Sequence, residues 1–97
     1  MAVPAIDDVE LPAVLHALAD PVRLEIVRLL DQRGESTCSA LGLSQSPATL
    51  SHHMRVLRES GVVATRLEGT SRPSRLRRDD LQRRFPGLLD AVLRSRR

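Results

Sequence analysis

The polar side chains with the most informative spacing lie between Pro47 and Ser60. Apolar residues recur there at helical intervals and predict one buried stripe: Leu50, Met54 and Leu57. His52 and Arg55 lie on the opposite face of such a helix, with hydroxyl residues beside them. Imidazole, guanidinium and hydroxyl groups form hydrogen bonds with base edges and phosphates in the major groove of DNA. The segment therefore predicts a helix suited to double-stranded DNA, which we call the reading helix.

The predicted DNA contacts come from the exposed face and the entrance of this helix. Ala48 is small enough to let the backbone approach and to meet a thymine methyl group. Gln45 and Ser46 precede the helix, where neutral donors can meet a phosphate beside the positive end of the helix dipole. His53 lies nearer the apolar stripe, and we expect it to pack or to form a buried hydrogen bond. The predicted contacts are Gln45, Ser46, Ala48, Thr49, Ser51, His52 and Arg55.

Positive charge is concentrated in the second half of the chain. Residues 1–40 carry seven acidic residues and three arginines, whereas residues 41–97 carry five acidic residues and twelve arginines. All basic residues are Arg, whose planar guanidinium group binds phosphate and guanine in a bidentate manner. A GC-rich genome would explain the preference for Arg over Lys, but not the crowding into one half. The distribution favours a nucleic-acid partner.

A β-hairpin is predicted directly after the reading helix. Residues 62–67 have the β-branched content of a strand, 68–71 form a turn, and 72–78 return as an edge strand because of Pro73. The hairpin carries five arginines: Arg66, Arg72, Arg75, Arg77 and Arg78. We expect the first four to lie along the DNA backbone or in the minor groove. For any single arginine a solvated surface charge is an equally good interpretation, but the set favours DNA.

Three helices are predicted to precede the reading helix and position it. The first begins within residues 7–10, the second covers 21 to about 32 after the cap Asp20, and the third covers 37–41 after the cap Ser36. Four charged residues of the second helix are expected outside its apolar face: Arg23, Glu25, Arg28 and Asp31.

A last helical stretch is predicted over residues 79–95, with a break near Phe85 and Pro86 because proline cannot continue a helix. The predicted fold is mainly α with a small β-hairpin, in the order α-α-α-α-β-β-α. A short turn between two helices, followed by a hairpin, predicts a winged helix-turn-helix.

Two runs carry a family resemblance: residues 51–62, which read SHHMRVLRESGV, and residues 17–26, which read ALADPVRLEI. Over roughly residues 10–93 the chain resembles the ArsR/SmtB family of bacterial regulators. The resemblance implies a transcriptional regulator, by default a repressor. It implies a single domain over residues 1–97, with the helix-turn-helix at 36–60, the wing at 62–78 and dimerisation segments at 8–19 and 79–95.

The resemblance also implies a homodimer joined by its first and last helices. The apolar residues expected in that interface are Leu11, Val14, Leu15, Leu18, Leu88, Leu89, Val92 and Leu93. Two-fold symmetry would place the two reading helices about one DNA turn apart and implies a palindromic operator.

Metal sensing is not supported by the arrangements that relatives of this family use. A thiolate cluster needs more than the one cysteine present, and no histidine follows His53. A different site for nickel, zinc or cobalt remains a hypothesis, with five candidate ligands: Asp7, Asp8, Glu10, His16 and Cys38. Cys38 alone is more typical of a small buried residue than of a ligand or redox switch.

Other classes of function find little support. An enzyme is not expected, because the chain has no Gly-rich phosphate loop, nucleophile elbow or metal-hydrolase spacing. Phe85 is the only aromatic residue, which argues against base stacking on single strands. No signal-peptide pattern and no run of about 18 apolar residues is present, so we expect a cytoplasmic protein without a membrane partner. The alternative is a winged-helix protein-interaction module or co-regulator, with sensing supplied by a companion protein or by a non-standard metal site.

Overall fold

The computed structural model describes residues 2–95. Its seven regular elements are helices α1 (Leu11–Leu18), α2 (Pro21–Arg33) and α3 (Pro47–Glu59), strands β1 (Val63–Thr65) and β2 (Ser74–Leu76), and helices α4 (Arg78–Arg84) and α5 (Leu88–Arg94). Two single turns of 3₁₀ helix, Ile6–Asp8 and Ser39–Leu41, complete the described structure. The reading helix is α3, and the hairpin of β1 and β2 is the wing. The chain is thus mainly helical, with one two-stranded antiparallel sheet.

The starts of α2 and α3 follow from their sequences. Asp20 Oδ1 accepts hydrogen bonds from the backbone N–H groups of Val22 at 2.8 Å and Arg23 at 3.0 Å. These bonds satisfy two of the free N–H groups at the start of α2 and lower the pKa of the Asp20 carboxyl group. Ser46 caps α3 in the same way, and a proline opens each helix. The predicted cap at Asp20 is confirmed, and Ser46 is a second cap of the same kind.

The predicted third helix is wrong as an α-helix, because only the 3₁₀ turn Ser39–Leu41 forms there. Ser36 does not cap a helix but pairs with β2, its N–H donating to the Ser74 carbonyl at 3.0 Å and its carbonyl accepting from the Ser74 N–H at 2.8 Å. This bridge fixes the backbone of Ser36 beside the sheet. Gly42, at φ +72°, ends the 3₁₀ turn. The chain between Ser36 and Gly42 is therefore too short for two turns of α-helix.

The hairpin forms where the sequence predicts it, with shorter strands. Val63 faces Leu76, Ala64 faces Arg75, and the buried hydroxyls of Thr65 and Ser74 lie 2.7 Å apart. The predicted turn closes by a reciprocal pair of hydrogen bonds between Glu68 and Ser71, each 2.9 Å long. The hairpin packs against α3 through β1 and against α2 through β2, which places the wing beside the reading helix.

Three of the residues predicted to form the dimer interface lie in the core of the single chain instead. Val14 is fully buried, Leu18 is 6% exposed and Leu89 is 2% exposed, all within the single chain. They pack into this chain's own core and are not available to a partner. Helical periodicity turns Leu11 and Leu15 outward instead, with 41% and 45% of their surfaces exposed. The three remaining predicted interface residues are half-buried: Leu88, Val92 and Leu93.

The break in the last helix is confirmed. Phe85 leaves the helical region at φ −132° and ψ 74°, and Gly87, at φ +83°, starts the turn into α5. Pro86 lacks the N–H group that would continue α4. Within residues 2–95, none of the helices has the length and apolar character of a membrane span.

Candidate nucleic-acid interface

The reading helix α3 has one buried and one exposed side. The predicted apolar stripe is confirmed, since Leu50, Met54 and Leu57 are each at most 6% exposed. The side chains predicted to contact DNA along the helix are all exposed: Ala48, Thr49, Ser51, His52 and Arg55. Packing of the stripe against the domain therefore presents a polar, basic surface of α3 to the outside.

The two polar residues just before α3, Gln45 and Ser46, do not present free polar groups for an external phosphate. The Ser46 hydroxyl accepts from the Thr49 N–H at 3.2 Å and donates to the Thr49 hydroxyl at 2.9 Å. The Oε1 atom of Gln45 is buried and has no hydrogen-bond partner within residues 2–95. Sequence reasoning assigned both side chains to phosphate contact, but the Ser46 hydroxyl caps α3 and the Gln45 oxygen does not lie on the exposed surface.

The wing presents two arginines to solvent. Arg72 and Arg75 are exposed, and neither forms an ion pair or hydrogen bond with another side chain of residues 2–95. Arg75 is on β2 opposite Ala64, and Arg72 follows the turn of the hairpin. Arg75 attracts the Glu35 carboxylate at longer range and adds to the lowering of its pKa, but both guanidinium groups are open to an external anion beside α3.

Two further wing arginines are engaged by acidic groups. The Arg66 guanidinium lies 2.7 Å from Glu35 and 2.9 Å from Glu68, and its hydrogen bonds lower the pKa of the Glu35 carboxyl group. Arg78 joins Asp31 of α2 to Asp90 of α5. The charge of Arg66 is offset locally, although its side chain stays exposed, while Arg78 ties helices together.

Arg77 was predicted to contact DNA, and this prediction is wrong. Its side chain is only 6% exposed, and its guanidinium donates to the carbonyl of Pro4 at 2.8 Å and to that of Gly61 at 3.4 Å. Asp80 accepts two more hydrogen bonds at 3.2 and 3.3 Å. Arg77 faces inward because these buried acceptors need a donor, so it joins the chain's beginning to the end of α3.

Arg23 anchors the reading helix, which sequence reasoning missed. Its side chain is 8% exposed and donates to the carbonyls of Ala17 at 2.8 Å and His16 at 3.2 Å. A further hydrogen bond of 3.3 Å reaches Nδ1 of His53 on α3, which confirms the predicted hydrogen-bonding role of His53. The helical period was a usable signal, because Arg23 shares a face with Ile26 and Leu30, but its charge led us to place it outside.

Arg58 is a second residue that sequence reasoning missed. It follows Ser51 and Arg55 at intervals of seven and three residues, so all three lie on the side of α3 that faces the wing. They border a groove of about 480 Å³ between α3 and the hairpin, to which the wing contributes Arg72. We call it the α3–wing groove. The spacing of residues 51, 55 and 58 was present in the sequence and places them on one side of α3. The groove itself depends on the position of the hairpin, which only the tertiary structure shows.

The candidate metal ligands are not brought together. Among the described residues, no three His, Cys, Asp or Glu side chains are grouped as ligands of one ion, so Asp7, Asp8, Glu10, His16 and Cys38 do not form such a group. Cys38 is half-buried, and this burial raises the pKa of its thiol. A protonated thiol is a poor ligand and a poor nucleophile.

Comparison with known proteins gives consistent matches. A family model described as a helix-turn-helix domain matches residues 18–66, which is half of the chain. The HTH-type transcriptional regulator YceK of Bacillus subtilis (strain 168) is 35% identical over 89% of both chains. The arsenical resistance operon repressor of Staphylococcus xylosus is 44% identical over 62% of this chain, a match that spans 59% of that repressor.

A solved structure supports the same assignment. The crystal structure of the ArsR family transcriptional regulator RHA00566 superposes with a TM-score of 0.66 at 26% identity, covering 86% of this chain and 87% of that one. Fold, exposed helix and basic wing agree with these matches. The chain belongs to the ArsR family of helix-turn-helix transcriptional regulators.

Proposed function

We propose that this regulator is a repressor that binds a palindromic DNA operator as a homodimer. The observation that carries the proposal is the exposed polar side of α3 next to the unpaired charges of Arg55, Arg72 and Arg75. In this arrangement α3 enters the major groove, and the wing follows the adjacent backbone. In this proposal the helix-turn-helix predicted at residues 36–60 binds the major groove, and the wing predicted at residues 62–78 binds the adjacent DNA backbone.

Base reading is assigned to the first half of α3. Thr49, Ser51 and His52 are exposed there and have side chains that donate and accept hydrogen bonds. Arg55, one turn further on, suits guanine or a neighbouring phosphate. Arg23 supports these contacts indirectly, because its hydrogen bond to His53 fixes α3 against α1 and α2.

Binding to DNA is tested by fluorescence anisotropy with the promoter region of the regulator's own gene. The double variant Ser51→Ala with His52→Ala should bind the operator at least about 30-fold more weakly, because two base contacts are lost and each costs about 1–3 kcal/mol. The control is Gln32→Ala, which removes an exposed polar side chain near the end of α2 and should bind as the wild type does. Wild-type affinity in the double variant would contradict the assignment of the reading face, and salt-sensitive binding without sequence preference would contradict an operator.

The homodimer is supported by the two exposed leucines of α1. Leu11 and Leu15 are one helical turn apart and more than two-fifths exposed, which is costly for side chains of this size. A domain of this length also has a modest core, so burial against a second copy adds stability. We assign the contact to the outer side of α1 together with the half-buried residues Leu88, Val92 and Leu93 of α5.

Leu15→Glu should dissociate the dimer. A two-fold interface contains the change twice, so we expect the dimer dissociation constant to rise at least about 30-fold in sedimentation equilibrium. Leu67→Glu is the matched control, since Leu67 is a wing residue that is 61% exposed. If both variants sediment as the wild type does, the assignment of α1 to the interface is wrong.

The arsenical resistance named for the Staphylococcus repressor is not carried over to this chain. Thiophilic ions are held by several thiolates, and Cys38 is the only cysteine of the 97 residues. We therefore expect the signal that releases the operator to be something other than an ion held by several thiolates.

A further inference from the structure

Arg77 ties together the two ends of the wing at its base. Its backbone N–H donates to the Val62 carbonyl at 3.0 Å, one residue beyond the paired residues Val63 and Leu76. Its guanidinium Nη1 donates to the Gly61 carbonyl at 3.4 Å, shortly after α3 ends. One residue therefore joins the chain that enters the wing to the chain that leaves it, through both its backbone and its side chain.

A segment near the start of the chain also holds this joint. Nη1 of Arg77 donates to the Pro4 carbonyl at 2.8 Å, so one nitrogen bridges Pro4 and Gly61. The side chain of Val9 is 2% exposed and overlaps the place where a Cβ of Gly61 would lie. The Val9 carbonyl in turn accepts two hydrogen bonds from Arg84 of α4, at 3.0 and 3.2 Å. We call this group the wing clamp, and it consists of residues 4–9, Arg77 and Arg84.

Each nitrogen of the Arg77 guanidinium group forms a hydrogen bond. Nε and Nη2 donate to Asp80 of α4 at 3.3 and 3.2 Å, while Nη1 serves the two carbonyls. Because the side chain is 6% exposed, water is poorly placed to replace these acceptors. A planar fork with several donors can bond three segments at once, whereas a lysine ammonium group is a single point of charge. Arg77 therefore fixes the joint, residues 4–9 and α4 relative to one another.

The joint between α3 and the wing contains little else that would set its angle. α3 ends at Glu59 and β1 begins at Val63, and between them Gly61 has φ +88°. Glycine permits many backbone conformations, so the local sequence leaves the angle open. Arg72 lies five residues from Arg77, roughly 15 Å away at about 3.3 Å per residue. A rotation of about 10° at the base would then move Arg72 by about 3 Å, which is more than a hydrogen bond tolerates.

We infer that Arg77 is a positioning residue, which holds the wing at the angle that lets Arg72 reach DNA while α3 lies in the major groove. Arg77 is buried at the base of the wing, so it acts through the Gly61 carbonyl and the wing clamp and not by touching DNA. The consequence for DNA rests on the proposed function, whereas the orientation of the wing does not. A purely structural role would lower stability and leave the wing of the folded protein where it is.

The first experiment measures the orientation of the wing without DNA. Residual dipolar couplings of backbone N–H groups are recorded by NMR on the ¹⁵N-labelled full chain, and residues 63–72 are compared with α3. In Arg77→Lys, at a temperature where it is folded, we expect the wing to rotate by at least about 10° relative to α3 or to lose order. Arg23→Lys is the matched control, because Arg23 is also a buried arginine that donates to carbonyls, and its wing should keep the wild-type angle.

Arg84→Gln tests the same clamp with a milder change. Arg84 is exposed, so its loss should cost little stability, yet it releases the Val9 carbonyl. We expect a smaller rotation of the wing than in Arg77→Lys. An unchanged wing in folded Arg77→Lys would overturn the inference. If Arg77→Lys does not fold, an unchanged wing in Arg84→Gln would overturn it.

The second experiment measures the consequence for DNA by a double-mutant cycle in operator affinity. In the wild type, Arg72→Gln should weaken binding about 10-fold and reduce the slope of log affinity against log salt by about 0.9. In the Arg77→Lys background the wing is already displaced, so Arg72→Gln should weaken binding by less than about 3-fold. In the Arg23→Lys background the factor of about 10 should persist.

The two experiments fail in different ways. The full effect of Arg72→Gln in the Arg77→Lys background would overturn the inference, because the wing would then reach DNA without its clamp. If Arg72→Gln alone binds the operator as the wild type does, the wing contact of the proposed function is refuted. The NMR measurement then still decides whether Arg77 positions the wing.

Discussion

Gly61→Ala is expected to lower the free energy of unfolding by about 3 kcal/mol and to be among the most damaging single-methyl additions to this fold. Gly61 has φ +88°, where a side chain costs about 1–2 kcal/mol. The added Cβ would overlap with Cγ2 of the buried Val9, and overpacking of this kind costs about 1–3 kcal/mol. Urea unfolding at a fixed protein concentration measures the loss, and the melting temperature should fall by about 10–25 °C.

A double-mutant cycle separates the two causes. Val9→Ala removes Cγ1 and Cγ2, so in the double variant with Gly61→Ala the steric clash is relieved and the backbone cost remains. We expect a favourable coupling of about 1–2 kcal/mol between the two changes. Gly42→Ala is the matched control, since Gly42 also has positive φ but a Cβ there would have nothing within 4 Å. An additive cycle would show that the Val9 contact does not limit Gly61.

Arg23→Ala is expected to destabilise the protein by about 3 kcal/mol and to weaken operator binding. The change removes the Arg23 donor from the Ala17 carbonyl, one of the two donors to the His16 carbonyl, and the hydrogen bond to His53. Loss of a buried, multiply bonded charged group typically costs about 1.5–3 kcal/mol per charged hydrogen bond before partial compensation by water. Urea unfolding gives the stability, and anisotropy at a temperature where the variant is folded gives the affinity.

Two further variants make the Arg23 result interpretable. Arg23→Lys keeps the charge but not the fork, so it should recover only part of the lost stability. Arg33→Ala removes an exposed arginine from the same helix, where it donates to the Ala40 carbonyl, and should change stability by less than about 0.5 kcal/mol. Equal behaviour of the alanine variants at 23 and 33 would show that α3 is not held through Arg23.

The order of elements was accessible from the sequence because its determinants are local. Asp20 and Ser46 cap helices through their own neighbours, and Pro86 ends α4 by its own chemistry. The apolar stripe of α3 repeats within one helix, so its exposed face follows at once. These features required no knowledge of which other elements pack nearby.

The predictions that were wrong depended on distant partners. The third helix was lost because Ser36 pairs with Ser74, which is far along the chain. Arg77 was assigned to DNA from its place on a basic hairpin, yet the Pro4 and Gly61 carbonyls draw it inward. Arg23 was predicted to be a surface charge, because the sequence does not show that His53 on α3 lies close enough to accept one of its hydrogen bonds.

The sequence by itself determined that this chain is a winged helix-turn-helix with a polar, basic helix turned outward. The periodicity of apolar residues, the helix caps and the concentration of arginines are properties of short segments, so they can be recognised in the sequence alone. The tertiary structure decided which arginines are engaged within the protein, because only folding brings acceptors to a guanidinium group: carboxylates offset its charge, and carbonyls accept its hydrogen bonds. Folding engages Arg23 and Arg77 in the interior and Arg66 and Arg78 in ion pairs at the surface, and it leaves Arg55, Arg58 and Arg72 around one groove.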